Sequence, residues 1–154
     1  MSDQNKLTGS IVMAVDPGKM TGVALFNGTE HRSFELDIDV VFKELYHLVQ
    51  SYLPAFVICE AFRITVQTAK NTQAPWSLEL IGALRLTCLL FDIPFVLQSP
   101  SDAKGFSTDD KLKAMEWYNP SKGGHQNDAT RHLLAWLVRN NWYDPRLVKE
   151  NRVI

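Results

Sequence analysis

Ile11–Gly22 reads IVMAVDPGKMTG, and the fold is decided by how this stretch is interpreted. Ile11, Val12, Met13, Ala14 and Val15 form an unbroken apolar run that ends in Asp16. A run of that kind suits a strand buried on both faces in the middle of a sheet. Asp-Pro-Gly then breaks the strand, because proline lacks an amide donor and glycine accepts a sharp turn. A second apolar strand follows from Gly22 to Phe26. An acid at the end of a dry strand is costly unless something compensates its charge. A metal ion and a solvated turn are the two compensations, and this stretch alone leaves both open.

Working outward, Asn27-Gly28 is a hairpin signal, so Thr29–Leu36 is expected to pair antiparallel with the second strand. Val40, Val41, Leu45, Leu48, Val49 and Leu53 recur at helical spacing and predict an amphipathic helix over Ile38–Tyr52, closed by Pro54. Ala55–Cys59 reads as a fourth buried strand, and it too ends in an acid, Glu60. Phe62–Ala74 is polar, basic and aperiodic, a long loop. A helix opens at Pro75 or Trp76 and runs to about Phe91. Its apolar residues, among them Leu78, Leu80, Leu84, Leu86, Leu89 and Leu90, cover most of its circumference. Such a helix needs cover on more than one side, from a second subunit or from a third layer of the same chain.

Ile93–Leu97 is the fifth strand, reached through a right-handed parallel crossover. Ser99–Ser107 is read as a loop carrying Lys104 and Phe106, and Thr108 as the cap of a helix from Asp109 to about Tyr118. Asn119–Gly124 (NPSKGG) is a breaker. The last helix is placed over Asn127–Asn141, with Ala129, Leu133, Leu134, Leu137 and Val138 inward, followed by a loosely held tail. The resulting order is βββαβαβαα.

The 154 residues are read as a single domain with its core over about 10–141, long enough to fold without disulfides. No apolar run is long enough for a membrane span, and the polar start SDQNK is not a signal peptide. Cys59 and Cys88 sit inside apolar stretches, as reduced thiols of a cytoplasmic protein would. The net charge of −1 argues weakly against a nucleic-acid partner. Its distribution argues otherwise: up to Glu60 four Lys/Arg face eight Asp/Glu, whereas from Ala61 onward the balance is twelve to nine. Basic residues are available for a partner, and some of the acids belong to a candidate metal site.

Two acids, Asp16 and Glu60, end buried strands. Near the start of the last helix lies GGHQND, where His125 and Asp128 stand three residues apart and share a helix face. If the fourth strand lies beside the first, all four groups converge at the carboxyl edge of the sheet. Three carboxylates and one imidazole suit Mg²⁺ or Mn²⁺ better than a thiolate-seeking metal. Two such ions, roughly 4 Å apart, hold the attacking and leaving oxygens of a phosphodiester in line.

At these residues the chain resembles the RuvC-like Holliday junction resolvases of the ribonuclease H superfamily, particularly the small phage-encoded ones. The matching pieces are VDPGKMTGVALF (15–26), VICEAF (57–62) and HQNDATRHLLAWL (125–137), and the likeness spans about Ile11 to Asn141. It implies an α/β ribonuclease H-like fold: a five-stranded mixed sheet, its first three strands antiparallel, with helices on both faces. It implies that Asp16, Glu60, His125 and Asp128 ligate two divalent metals, with Lys104 near the active site and Lys111 at a second basic position. It also implies a homodimer that cuts four-way junctions symmetrically and leaves 5′-phosphates.

On that resemblance, Arg63, Gln67, Lys70 and Asn71 would contact phosphates of branched DNA, and Phe62 or Phe106 would stack on an unpaired base. His31, His47 and His132 receive no role. Two alternatives keep the fold: a broader flap and fork nuclease, or a branched-DNA binding module without chemistry. A third is an ATP-handling protein of the actin type, for which the chain is too short to supply two enclosing domains.

Overall fold

Apolar runs become the strands. β1 (Val12–Asp16), β2 (Met20–Phe26), β3 (His31–Asp37), β4 (Phe56–Glu60) and β5 (Phe95–Gln98) join in one five-stranded sheet of order β3-β2-β1-β4-β5. β1 pairs antiparallel with β2, and β2 with β3, while β1–β4 and β4–β5 are parallel. The helices are α1 (Val41–Tyr52), α2 (Ala74–Leu90), α3 (Pro100–Lys104), α4 (Asp109–Ala114) and α5 (His125–Arg139). The computed structural model describes residues 9–70, 74–120 and 123–144. The polar start, Asn71 and the tail beyond Asp144 lie outside the described residues.

Because side chains alternate along a strand, the sheet sorts its residues by parity. Met13, Val15, Val23, Leu25, Val57 and Cys59 turn to one face and pack under Val41, Leu45 and Val49 of α1 and Leu80, Leu84 and Cys88 of α2. Val12, Ala14, Ala24, Phe26 and Ile58 turn to the other and pack under Ala129, Leu133, Leu134, Trp136 and Leu137 of α5. Each fully buried Leu on α5 contributes about 2 kcal/mol by removing apolar surface from water. Helices thus cover both faces of a mixed sheet, as the sequence resemblance implies.

Four expectations are corrected. The presumed loop after β5 holds α3, because Pro100 stands at the start of the helix, where its fixed φ fits and its missing N–H is not needed. α4 stops at Ala114, short of Tyr118: Glu116 takes a left-handed φ of 63°, and Trp117 turns into the core, stacked on His31 at 4.6 Å. α5 starts at His125, two residues before the predicted Asn127, behind Gly124 at φ 71°. β5 extends to Gln98, one residue beyond the predicted strand. The Thr108 cap is present, its hydroxyl accepting from the Lys111 amide.

On α2, Leu80 and Leu84 are buried, but Leu89 and Leu90 are 70% and 68% exposed, and Leu78 and Leu86 are exposed as well. Among the described residues, no third layer covers those leucines. At its other end α2 is tied to the turn after β1: the Ser77 hydroxyl donates to the Pro17 carbonyl at 3.0 Å, and the Lys19 ammonium lies 5.8 Å from the Trp76 ring.

Candidate active site at the carboxyl edge of the sheet

Register places the polar groups. Asp16 pairs with Gly22, Gly22 with Glu35, and Glu60 with Gln98, while Val15 beside Cys59 brings Asp16 next to Glu60. Glu35, Gly22, Asp16, Glu60 and Gln98 therefore form one row across the sheet, on the face that α5 covers. It is the last row before β1 and β4 end, so the apolar core gives way there to groups that reach solvent.

α5 lies along that row and engages it at both ends. At its first residue the His125 amide donates to Glu35 Oε1 at 3.1 Å, satisfying a helix-terminal donor from a neighbouring strand. The His125 ring sets Nδ1 3.3 Å from Asp16 Oδ2. Two turns on, His132 sets Nε2 2.6 Å from Glu60 Oε2 and Nδ1 3.2 Å from Gln98 Oε1. Between them Asp128 Oδ1 accepts from Arg131 Nη1 at 2.6 Å, and Arg131 also holds Asp109. Gly22 makes this docking possible: a Cβ there would fall 1.9 Å from the His125 carbonyl oxygen.

Electrostatics single out Asp16. Burial raises its pKa above 3.8; the hydrogen bond to His125 opposes this, and the charges of Glu60 and Asp128 push it further up. His125 is shifted up in turn, chiefly by its hydrogen bond to Asp16, with burial opposing and the charges of Asp16, Glu35 and Asp128 assisting. Cys59, one residue from Glu60 but facing the other side, has its thiol pushed well above 9.0 by burial and stays a neutral core residue.

Of the residues singled out from the sequence, Asp16, Glu60, His125 and Asp128 are brought to this one edge. Among the described residues, no group of three or more His, Cys, Asp or Glu side chains is already arranged to hold a metal ion. Glu60 and Asp128 are instead turned to His132 and Arg131. The donor set nevertheless fits a hard divalent cation, because two further carboxylates and an imidazole surround a buried acid whose ionisation is opposed by burial and by those carboxylates.

Lys104 is exposed at the end of α3 and, among the described residues, shares no hydrogen bond or ion pair with the four. Lys111 folds back on Phe106, donating to its carbonyl at 2.5 Å with the ammonium 4.2 Å from the ring. Phe106 itself is half-buried against the α5-side core. Arg63, Gln67 and Lys70 are exposed on the segment after β4, and Phe62 is half-buried.

Sequence patterns did not reveal Glu35, Gly22, Gln98, Arg131 and His132. For His132 a signal existed: it lies four residues after Asp128 and seven after His125, on the same helical stripe. Two surface hollows, of about 200 and about 390 Å³, lie away from this edge around Asn27, Glu30 and Arg32.

No protein-family profile and no curated protein sequence matches the chain. Solved structures do match. RuvC of Thermus thermophilus in complex with a Holliday junction substrate superposes with a TM-score of 0.65 at 14% identity, covering 86% of this chain and 97% of that one. A second T. thermophilus RuvC structure gives 0.59 at 14% identity, covering 85% and 96%. The yeast mitochondrial Holliday junction resolvase Ydc2 gives 0.55 at 13% identity, covering 96% and 87%. The chain has the RuvC-like form of the ribonuclease H fold.

Proposed function

We propose that this protein is a divalent-metal-dependent endonuclease that resolves Holliday junctions and related branched DNA by symmetric phosphodiester hydrolysis, leaving 5′-phosphates. The observation that carries the reading is the convergence on Asp16: His125 bonds to it, and Glu60 and Asp128 lie close enough for their charges to act on it. The RuvC and Ydc2 folds agree with it. Asp16, Glu60, His125 and Asp128 would hold Mg²⁺ or Mn²⁺, two ions per site, which supply an activated water and neutralise the leaving oxygen.

The chain's own groups prepare that site. Arg131 steadies Asp128 through Oδ1, and Glu35 accepts from the first amide of α5, at the residue whose ring meets Asp16. The hydrogen bond to Asp16 favours the protonated ring of His125, and a ring nitrogen can ligate only while it carries no proton. Arg63, Gln67, Lys70, Asn71, Lys104 and Lys111 supply positive charge and hydrogen bonds to phosphates, which position DNA without reading sequence. The buried thiols Cys59 and Cys88 suit a reducing compartment such as the cytoplasm.

The exposed leucines of α2 suit the interface of a homodimer of this single domain. In Asp16→Asn, Mg²⁺-dependent cutting of a four-way junction should fall by about 10³-fold or more, while junction binding stays within about threefold of wild type. Retained cutting overturns the nuclease reading, and equal cutting of junction, fork, flap and duplex overturns the junction preference. Leu89→Asp should convert the dimer to monomer by sedimentation; an unchanged mass removes α2 from the interface.

A further inference from the structure

His132 is a buried polar residue that the nuclease reading does not use. Its side chain is 1% exposed, in the middle of a helix face otherwise given to Ala129, Leu133, Trp136 and Leu137. A polar ring in that position is costly unless both nitrogens are satisfied. They are: Nε2 meets Glu60 at 2.6 Å and Nδ1 meets Gln98 at 3.2 Å. Carboxylates only accept, so Nε2 carries the hydrogen. Half a turn of the Gln98 amide exchanges acceptor for donor on Nδ1, so Gln98 anchors the ring whatever its charge.

The three residues form a chain from the core to the solvent edge. Gln98 and Glu60 are paired across β5 and β4, and both point at the same helix. Gln98 is 7% exposed and His132 is deeper still, while the Glu60 side chain is 21% exposed and so reaches the surface. His132 occupies Oε2 of Glu60, which leaves Oε1 for a cation. A carboxylate held by one oxygen presents the other in a fixed direction, whereas a free glutamate at a strand end samples several rotamers.

We infer that His132, braced by Gln98, is a positioning residue that aims the outer oxygen of Glu60 at the divalent cation. The inference rests on the nuclease reading and adds to it a residue that touches neither DNA nor metal. Removing the ring leaves the fold its apolar packing but frees Glu60 to rotate. Metal affinity and the rate of the chemical step then fall together, while affinity for DNA does not.

The test is calorimetric titration of Mn²⁺ alone into wild type, His132→Leu, His132→Gln and Gln98→Leu, with a thermal melt, junction Kd and single-turnover cutting for each. His132→Leu should weaken Mn²⁺ binding by about 10–100-fold with junction Kd unchanged. His132→Gln keeps a donor toward Glu60 and should recover to within about fivefold, and Gln98→Leu should lose about 3–10-fold. A merely structural role moves the melt and leaves Mn²⁺ affinity alone.

Wild-type Mn²⁺ affinity in His132→Leu overturns the inference while the nuclease reading stands. If that variant does not fold, unchanged affinity in Gln98→Leu overturns it equally. Failure of the wild-type protein to take up Mn²⁺ overturns the nuclease reading and this inference together.

Discussion

Val15 and Asp16, like Cys59 and Glu60, are adjacent in sequence yet belong to different environments. Val15 and Cys59 face α1 and α2 and are fully buried among apolar side chains. Asp16 and Glu60 face α5, and each is bound by a named partner, His125 or His132. One step along a strand separates a position stabilised by excluded water from a polar edge organised by directed bonds. The first tolerates changes that keep volume. The second fails when a single group moves by about 1 Å, because positions there are set by pairwise geometry.

Gly22→Ala is the sharpest way to break the α5 side. The new methyl would meet the His125 carbonyl, so α5 must lift and carry His125 and Asp128 away from Asp16. Junction cutting should drop by about 10²-fold or more, measured under single turnover, with the melting temperature lowered as well. Cutting at the wild-type rate would show that the seating of α5 is not what sets the site.

On the dry face, Cys59→Ala deletes a buried sulfur. It should cost roughly 1–2 kcal/mol in denaturant titration while cutting stays within about twofold. A loss of cutting comparable to Gly22→Ala would erase the distinction between the faces.

The smallest effect concerns pH. The folded state holds the His125 proton more tightly than the unfolded chain, so its contribution to stability is complete below about pH 6.5 and is lost as pH rises through the raised value. Over that window the melting temperature of metal-free protein should fall by about 1–2 °C, and Mn²⁺ affinity should rise as the imidazole deprotonates. His125→Ala should flatten both curves. Asp16 acts with the same sign at lower pH: its raised pKa lets stability decline as pH climbs from the ordinary carboxylate range.

Much of this architecture could be read from apolar runs and their punctuation. The acids that end β1 and β4 stood out because each follows an unbroken buried strand, and His125 and Asp128 because they open a helix together. The groups that hold them were harder to see. Gln98 escaped because β5 was ended one residue early, at Leu97, and so lost its last polar position. Glu35 escaped because β3 alternates only loosely, and its role depends on the register β1–β2–β3 that no local pattern reveals. His132 was hidden by the apolar residues around it, since a helix scanned for its greasy stripe hides a polar residue within that stripe. α3 was missed although Ser99-Pro100 is a helix-opening pair, because the segment was read for its lysine and phenylalanine.

The bond between Ser77 and the Pro17 carbonyl joins the leucine-bearing helix to the turn that immediately follows Asp16. Ser77 thus couples the position of α2 to that turn. A second copy seated on α2 would therefore hold its own Asp16 at a distance and angle dictated by the protein. On the nuclease reading, such a pair would act as a caliper: DNA would have to bring its two scissile bonds to the jaws, and substrates whose strands cannot meet that span would be rejected before any bond is cut.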